Sequence, residues 1–253
     1  KVKFYDLLEF TKKLNGSALV TGHYIKKIKV NNEWALYVPE DKDRDQSYFL
    51  FSIKKSDLDF VEFPLGDFNK SQIRDFAKTM NLHVFDKADS QDICFIPDGD
   101  YKSFIRKNSE NEEVGEVVDA NNNVLGHHDG IYNFTIGQRR GIGVSQSKPV
   151  YVKEINKEKN RVVVASKEQI KSNGIRLENA NYLTERMPSE VKVRIRSSGK
   201  LIDATYSRLS DNKCLIYFSA PEAAVSPGQA CVFYLEDSNG LRLLGGGWIR
   251  STI

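Results

Sequence analysis

The 253 residues predict an α/β first part, a polar middle stretch and an all-β last part built as a small barrel or sandwich. Three observations carry this. Apolar residues in the first hundred positions alternate between helical spacing and short strand-like runs. From about residue 150 onward, β-rich runs recur roughly every ten residues with turn residues between them. The length corresponds to one large domain or two to three small ones, at roughly 150 residues per domain.

The elements follow in order. Phe4, Leu7, Leu8 and Leu14 fall at helical spacing, and Gly16 is placed to end that helix. Ala18 to Tyr24 reads as a short strand reaching Gly22. Strands at about 25–30 and 34–38 flank Asn31-Asn32, a hairpin turn. Gln46 to Ile53 reads as helical. Asn69 is a cap for a helix to about Asn81, with Ile73, Phe76, Ala77 and Met80 on one face. Residues 86–100 read as a polar loop, 99–107 as a short helix, and Asn121-Asn122-Asn123 as a turn. Val150–Val152 and Arg161–Ala165 are strands about a polar turn. Val191 to Arg196 alternates strictly, which puts its basic residues on one face. Cys214–Phe218 and Cys231–Leu235 are further strands.

Composition narrows the function classes. Hydrophobic residues are 40% and charged residues 28%, ordinary for a globular chain and unlike a disordered or collagenous one. The longest apolar runs are a few residues, too short for a membrane span. Three cysteines, an odd and low number, point to a reducing compartment. The net charge of +3 is uneven: residues 151–253 carry 16 Lys+Arg against 11 Asp+Glu, whereas residues 1–100 carry 15 against 17. A basic last part suits an anionic partner.

Several residues could carry chemistry. Cys94 sits in a polar loop between Asp92 and Pro97, where a thiolate nucleophile can be reached; beside Ile93 and Phe95 composition alone favours a small buried hydrophobe. Cys214 and Cys231 lie in strands and read as core, and without a Cys-x-x-Cys pair neither a zinc ribbon nor a local dithiol is indicated. The adjacent His127-His128 read as a polar loop, not as paired ligands. His23 follows Gly22 at a strand end, where ligands bind in open α/β sheets, although a lone His there is more often structural. The run Ile136-Gly137-Gln138-Arg139-Arg140-Gly141-Ile142-Gly143 could approach a phosphate backbone closely, or be a flexible surface loop. Gly245-Gly246-Gly247 could be a bulge or a tight barrel bend.

Seven motifs, in order, go further: Thr21-Gly22-His23-Tyr24, Asp45-Gln46-Ser47-Tyr48-Phe49-Leu50, Phe63-Pro64-Leu65-Gly66, Asp89 to Ile96, Thr135 to Gly141, Ser226 to Ala230, and Leu244 to Ile249. With them the chain resembles the tRNA-specific 2-thiouridylases over essentially its whole length. The resemblance implies the rear of an α/β pyrophosphatase-loop domain of the adenine nucleotide α-hydrolase type (1–95). A small central α+β tRNA-binding domain (96–149) and a C-terminal β-barrel (150–253) would follow. It implies an enzyme that uses ATP and Mg2+ to adenylate the C2 oxygen of the wobble uridine in tRNA Lys, Glu and Gln. Sulfur would come from a cysteine persulfide charged by a sulfur-relay protein or a cysteine desulfurase, in the cytoplasm and away from membranes.

By residue, the resemblance makes Cys94 the persulfide carrier, a role a thiolate can fill. It sets Gly22 against ATP and places His23, Arg44, Asp45, Gln46, Arg194, Ile195 and Gln229 at the tRNA. It implies no protein metal ligand in this chain. Arg44 stands where the family usually has Lys, and Ile195 where Tyr is frequent, which removes a stacking ring there. The family's Ser-Gly-Gly-Val-Asp-Ser loop and its Cys-Asn pair are expected upstream of Lys1, so the chain is expected to be an N-terminally truncated form without thiolation activity of its own. The rival expectation is a non-catalytic tRNA- or RNA-binding module.

Overall fold

The computed structural model describes residues 2–83, 114–223 and 225–253. These fall into two compact units. The first joins the residues up to 83 to 175–219 and 228–251; the second comprises the residues from 114 to 174, most of 220–227, and 252–253.

In the first unit a helical turn, Val2–Asp6, leads into α1 (Leu7–Lys13). Its end is made by Asn15 rather than by Gly16: Asn15 takes the left-handed conformation at φ 56°, and the Gly16 N–H returns to the Thr11 carbonyl. Strand β1 (Leu19–Val20) pairs in parallel with β4 (Val61–Glu62). Strands β2 (Lys26–Val30) and β3 (Glu33–Tyr37) form the expected hairpin. Asn31 and Asn32 both have positive φ, 50° and 68°, as a type I′ turn requires. The helical expectation for 46–53 resolves to a single 3-10 turn, Ser47–Leu50. Helix α2 (Lys70–Thr79) opens with a capping box between Asn69 and Gln72. None of its residues is buried, and Phe76 and Met80 stay exposed among the described residues.

The barrel strands are β9 (Lys171–Tyr182), β10 (Glu190–Arg194), β11 (Ile202–Ser210), β12 (Lys213–Ala223), β13 (Ala230–Asp237) and β14 (Gly240–Thr252). They run in the order β13-β10-β11-β12-β9-β14, and pairing of β13 with β14 closes six strands into a barrel. Closure removes the open edges. On its other side β14 pairs with β3, so the β2–β3 hairpin extends the barrel sheet. Strand β13 explains the joint core. Its first five residues, Ala230 to Tyr234, are all buried. Ala230, Val232 and Tyr234 join a cluster with Leu8, Ile25, Leu36 and Leu50 of the front segment. The alternate residue Phe233 meets the ring of Tyr206, a β11 residue. A strand covered on both faces reads as a continuous apolar run.

Cys214 and Cys231 are core residues, as expected, each 0% exposed. The first of the three glycines of β14 borders a bulge: pairing with β13 shifts register between Phe233, opposite Gly245, and Tyr234, opposite Leu243. Gly245 has φ 129°, whereas Gly246 and Gly247 stay in register with Val232 and Cys231. A Cβ there would meet the Asn181 carbonyl oxygen at 2.1 Å.

The second unit holds a four-stranded sheet in the order β6-β5-β8-β7, from β5 (Gly115–Val118), β6 (Val124–His128), β7 (Tyr151–Asn156) and β8 (Arg161–Ala165). The run 151–165, grouped with the barrel by sequence spacing, thus joins this sheet, β8 pairing with β5 and β7 with β8, and β9 is the first barrel strand. His127-His128 lies in β6 rather than in a loop, with His128 4% exposed. The core is Val117, Ile142, Val152, Val162 and Val164. The turn at 121–123 is present, with Asn122 left-handed at φ 64° and Asp119 accepting from the Asn121 and Asn123 N–H groups.

Candidate functional site

Strand β1 ends at Val20, and the chain then runs openly through Thr21, Gly22 and His23. These residues, with Leu7, Leu19, Val20 and Gln46, line a pocket of about 370 Å³. Three residues that the sequence singled out, Gly22, His23 and Gln46, therefore share one cavity. Gln46 is fastened to Tyr24, the residue after His23. Its Oε1 accepts the Tyr24 N–H at 2.9 Å, and its own N–H donates to the Tyr24 carbonyl at 3.2 Å. Gly22 is exposed, and a Cβ there would meet only Leu65 Cδ1, at 3.6 Å. The glycine leaves bare backbone at the pocket without being forced by packing. The His23 Nδ1 lies 3.0 Å from Thr21 Oγ1, and its ring meets Phe4 and Phe63 at centroid distances of 5.5 and 6.4 Å.

The residue before Gln46 is tied to the barrel. Asp45 Oδ1 accepts the Ser47 N–H at 2.9 Å, an Asx turn that starts the 3-10 turn. Its Oδ2 accepts from Arg194 Nη1 at 2.5 Å. The Arg194 guanidinium lies over the Tyr234 ring, 5.2 Å from its centroid. The Tyr234 hydroxyl and Ser47 Oγ are 3.0 Å apart, and the Tyr48 hydroxyl donates to the Ala230 carbonyl at 2.8 Å. Asp45 and Arg194 side chains are 5% and 18% exposed, so the pair works in a partly desolvated setting where charge-assisted bonds hold geometry firmly. Burial pushes the Tyr48 phenol up to about 12 and Tyr234 above the ordinary tyrosine range, so both stay protonated.

The other expected positions lie apart from this pocket. Arg44 is exposed at the end of the turn Lys42–Arg44. Ile195, just past β10, is 6% exposed and serves packing. Gln229 is half-buried beside β14, its carbonyl accepting the Ile249 N–H at 2.8 Å. Its Oε1 and the Arg194 Nε are buried without a hydrogen-bond partner among the described residues. Cys94 lies outside the described residues. Sequence reasoning missed Ser47, Tyr48 and Tyr234 as the supports of this site. The two hydroxyls of Tyr48 and Tyr234, set inside apolar runs, were the available signal, because a buried tyrosine hydroxyl needs a partner.

Comparison with known proteins bears on the same segments. Residues 1–98 match the family described as tRNA methyl transferase HUP domain, and 102–166 match the tRNA methyl transferase PRC-barrel domain. Residues 172–249 match the aminomethyltransferase beta-barrel domain. The chain is similar to the tRNA-specific 2-thiouridylase MnmA of Rickettsia massiliae and to that of Rickettsia rickettsii. Identity is 43% with each, over all of this chain and 69% of each relative. The enzyme of Rickettsia canadensis is 42% identical over the same share.

Proposed function

The chain belongs to the tRNA-specific 2-thiouridylase family, and on that premise we propose that it is part of an ATP-dependent sulfurtransferase for C2 of the wobble uridine in tRNA Lys, Glu and Gln. One observation supports this reading most. Gly22, His23 and Gln46 line a single pocket, and the residue before Gln46, Asp45, is ion-paired with Arg194, so three separate parts of the sequence meet at or beside this cavity.

The pocket's chemistry fits a flat ring. Leu7, Leu19 and Val20 supply an apolar wall, Gly22 leaves the backbone bare, and Thr21, His23 and Gln46 add hydrogen-bonding groups. The nucleoside part of ATP fits these residues. A triphosphate with Mg2+ finds no partner there among the described residues, since none of those lining the cavity is Lys, Arg, Asp or Glu. ATP, when bound, supplies activation of the uridine C2 oxygen as a leaving group. The chain's own contribution is positioning. The Asp45–Arg194 pair fixes the turn that carries Gln46, and Arg44 at its exposed start offers charge to an RNA phosphate.

Cys94 is the proposed carrier. Its thiolate takes the outer sulfur of a donor persulfide and the donor leaves as a thiol. The terminal sulfur of the new persulfide then bonds to the activated C2 as the C–O bond breaks and AMP leaves. A second thiol, that of the family's Cys-Asn pair, breaks the S–S bond and ends as a disulfide with Cys94. The donor is a sulfur-relay protein or a cysteine desulfurase, and the reaction belongs in the cytoplasm. No helix among the described residues is long and apolar enough to cross a membrane. The 253 residues contain no Ser-Gly-Gly-Val-Asp-Ser sequence, so on their own they are expected to bind tRNA without thiolating it.

The test is Cys94→Ser in the gene product that carries these residues, with nucleoside mass spectrometry of tRNA and a filter-binding assay. Loss of 2-thiouridine with tRNA affinity retained supports the reading. Thiolation at the unaltered level overturns the role of Cys94, and no affinity for tRNA overturns the substrate.

A further inference from the structure

The loop between β6 and β7 has an organisation that the pocket above does not use. Its two ends are bonded to each other: the Gly137 N–H donates to the Val152 carbonyl at 2.7 Å, and the Val152 N–H to the Gln138 carbonyl at 2.9 Å. The Gln138 side chain staples the entry, accepting the Thr135 N–H and donating to the Arg140 carbonyl, both at 2.9 Å. Ile142 is 5% exposed and is part of the unit's core, and Val144 and Val150 pack against that core. Gly141 and Gly143 are left-handed, at φ 70° and 79°, so the backbone folds around the buried Ile142 in a path L-residues resist. This is a closed loop anchored by its own apolar side chains, a class that is frequently functional.

What the loop leaves outward is cationic. Residues 138–150 contain Arg139, Arg140 and Lys148 and no Asp or Glu. Arg139 and Lys148 line a cavity of about 370 Å³, together with Gly141, Gly143, Gln146 and Ser147. All six are exposed. Among the described residues no carboxylate lines it, so none of these neutralises the two cations inside the cavity. A guanidinium and an ammonium flanking hydroxyl, amide and bare backbone groups match the donor needs of a phosphate.

We propose that this loop is a phosphate-binding site that takes a backbone phosphate of the RNA. The inference rests on the reading of the chain as a tRNA-binding protein and adds a contact far in sequence from residues 22–46 and 194. Phosphate chemistry could also come from a free polyphosphate. The RNA source is favoured because the cavity is open and its lining surface is chiefly polar. Of its apolar members, Ile142, Val144 and Val150 are engaged in the unit's own core, which leaves little apolar surface to hold a base or ribose beside the phosphate.

The experiment uses the whole chain with Arg139→Gln and Lys148→Gln combined, and a control with Lys157→Gln and Lys159→Gln on the nearby β7–β8 turn. All four side chains are exposed, and circular dichroism checks that both variants fold. Affinity for a labelled tRNA Glu anticodon stem-loop is read by fluorescence anisotropy between about 50 and 200 mM salt. The expected result is a loss of about tenfold for the loop variant. Its log–log salt slope should be shallower by about 1 to 2, at roughly 0.9 per duplex phosphate contact, and the control should change little. Equal losses in both variants, or none in the loop variant, overturn the proposal. Inorganic pyrophosphate is titrated in parallel by calorimetry: binding that is abolished in the loop variant while RNA affinity is untouched overturns the RNA source. If the unaltered chain binds no RNA, the failure lies with the tRNA reading, because the control arm fails as well.

Discussion

Asp45 and Arg194, 149 positions apart, share a 2.5 Å ion pair that ties the turn carrying Gln46 to a barrel strand. The resemblance assigns both to tRNA contact, yet in this structure they serve each other. Arg194 also lies over Tyr234, whose hydroxyl reaches Ser47 two residues after Asp45. The arrangement is a closed ring of contacts, Asp45 to Arg194 to Tyr234 to Ser47 and back along the chain. Such a ring holds geometry more than it adds stability, since removing two partly buried charges together can cost little.

That distinction is measurable. Asp45→Asn and Arg194→Gln should each destabilise the first unit by about 2 kcal/mol, discounted from the buried-pair range because Arg194 keeps some exposure. The double variant should lose clearly less than the sum of the two, because the second substitution no longer strands a charge. Urea unfolding of the three variants provides the comparison. Strictly additive losses would show that the pair does not couple.

Thiol chemistry separates the three cysteines. Cys214 and Cys231 are fully buried; burial pushes Cys214 up to about 11 and Cys231 well above the usual thiol range. Both are therefore protonated at neutral pH and shielded from reagent. Iodoacetamide labelling of the native chain, mapped by peptide mass spectrometry, should leave these two unmodified until denaturant is added. Any rapid labelling should map to Cys94. Fast modification of Cys231 would contradict its place in the core.

Gly245 should tolerate nothing larger. Its φ of 129° and the Asn181 carbonyl 2.1 Å from a built Cβ mean that Ala must both strain the backbone and push β9 away. Gly245→Ala should cost about 3 kcal/mol or more, seen as a lower thermal midpoint. Gly228→Ala, which also has positive φ but open space around its Cβ, should cost less.

How much of this was legible in the sequence depends on how local each cause is. The Asn31-Asn32 hairpin, the Asn69 cap and the core positions of Cys214 and Cys231 were legible because neighbouring residues determine them. The pairing of β7–β8 with β5 was not, because strand spacing says nothing about which sheet a strand joins. The 3-10 turn at 47–50 replaced an expected helix because tertiary bonds from Ser47 and Tyr48 to β13 fix it. His23, after Gly22 at a strand end, was legible from the residues, whereas the roles of Gly22 and Gln46 came only from the resemblance; the Gln46–Tyr24 bonds that bring Gln46 to the pocket are long-range. Ile195 follows the alternation of β10 inward, so its departure from the aromatic pattern is a packing fact here.

His128 provides a pH handle on the second unit. It was expected in a polar loop; in β6 it is buried, and its Nδ1 accepts the Gly130 N–H at 3.1 Å. Burial holds its pKa below the ordinary 6.5, with the Asp129 charge opposing the shift and His127 adding to it. The neutral ring is the folded form. The unfolded chain therefore binds the proton more readily, and stability from this group is complete above about pH 6.5 and falls as the pH drops below it. Protonation at Nδ1 would also remove the acceptor of the Gly130 N–H. Hydrogen exchange of the β5–β6 amides, corrected for intrinsic rates, should lose protection between about pH 7 and pH 5. In His128→Asn, whose side-chain oxygen can accept the same N–H without titrating, that dependence should flatten. An equally steep pH dependence in the variant would assign the effect to another group.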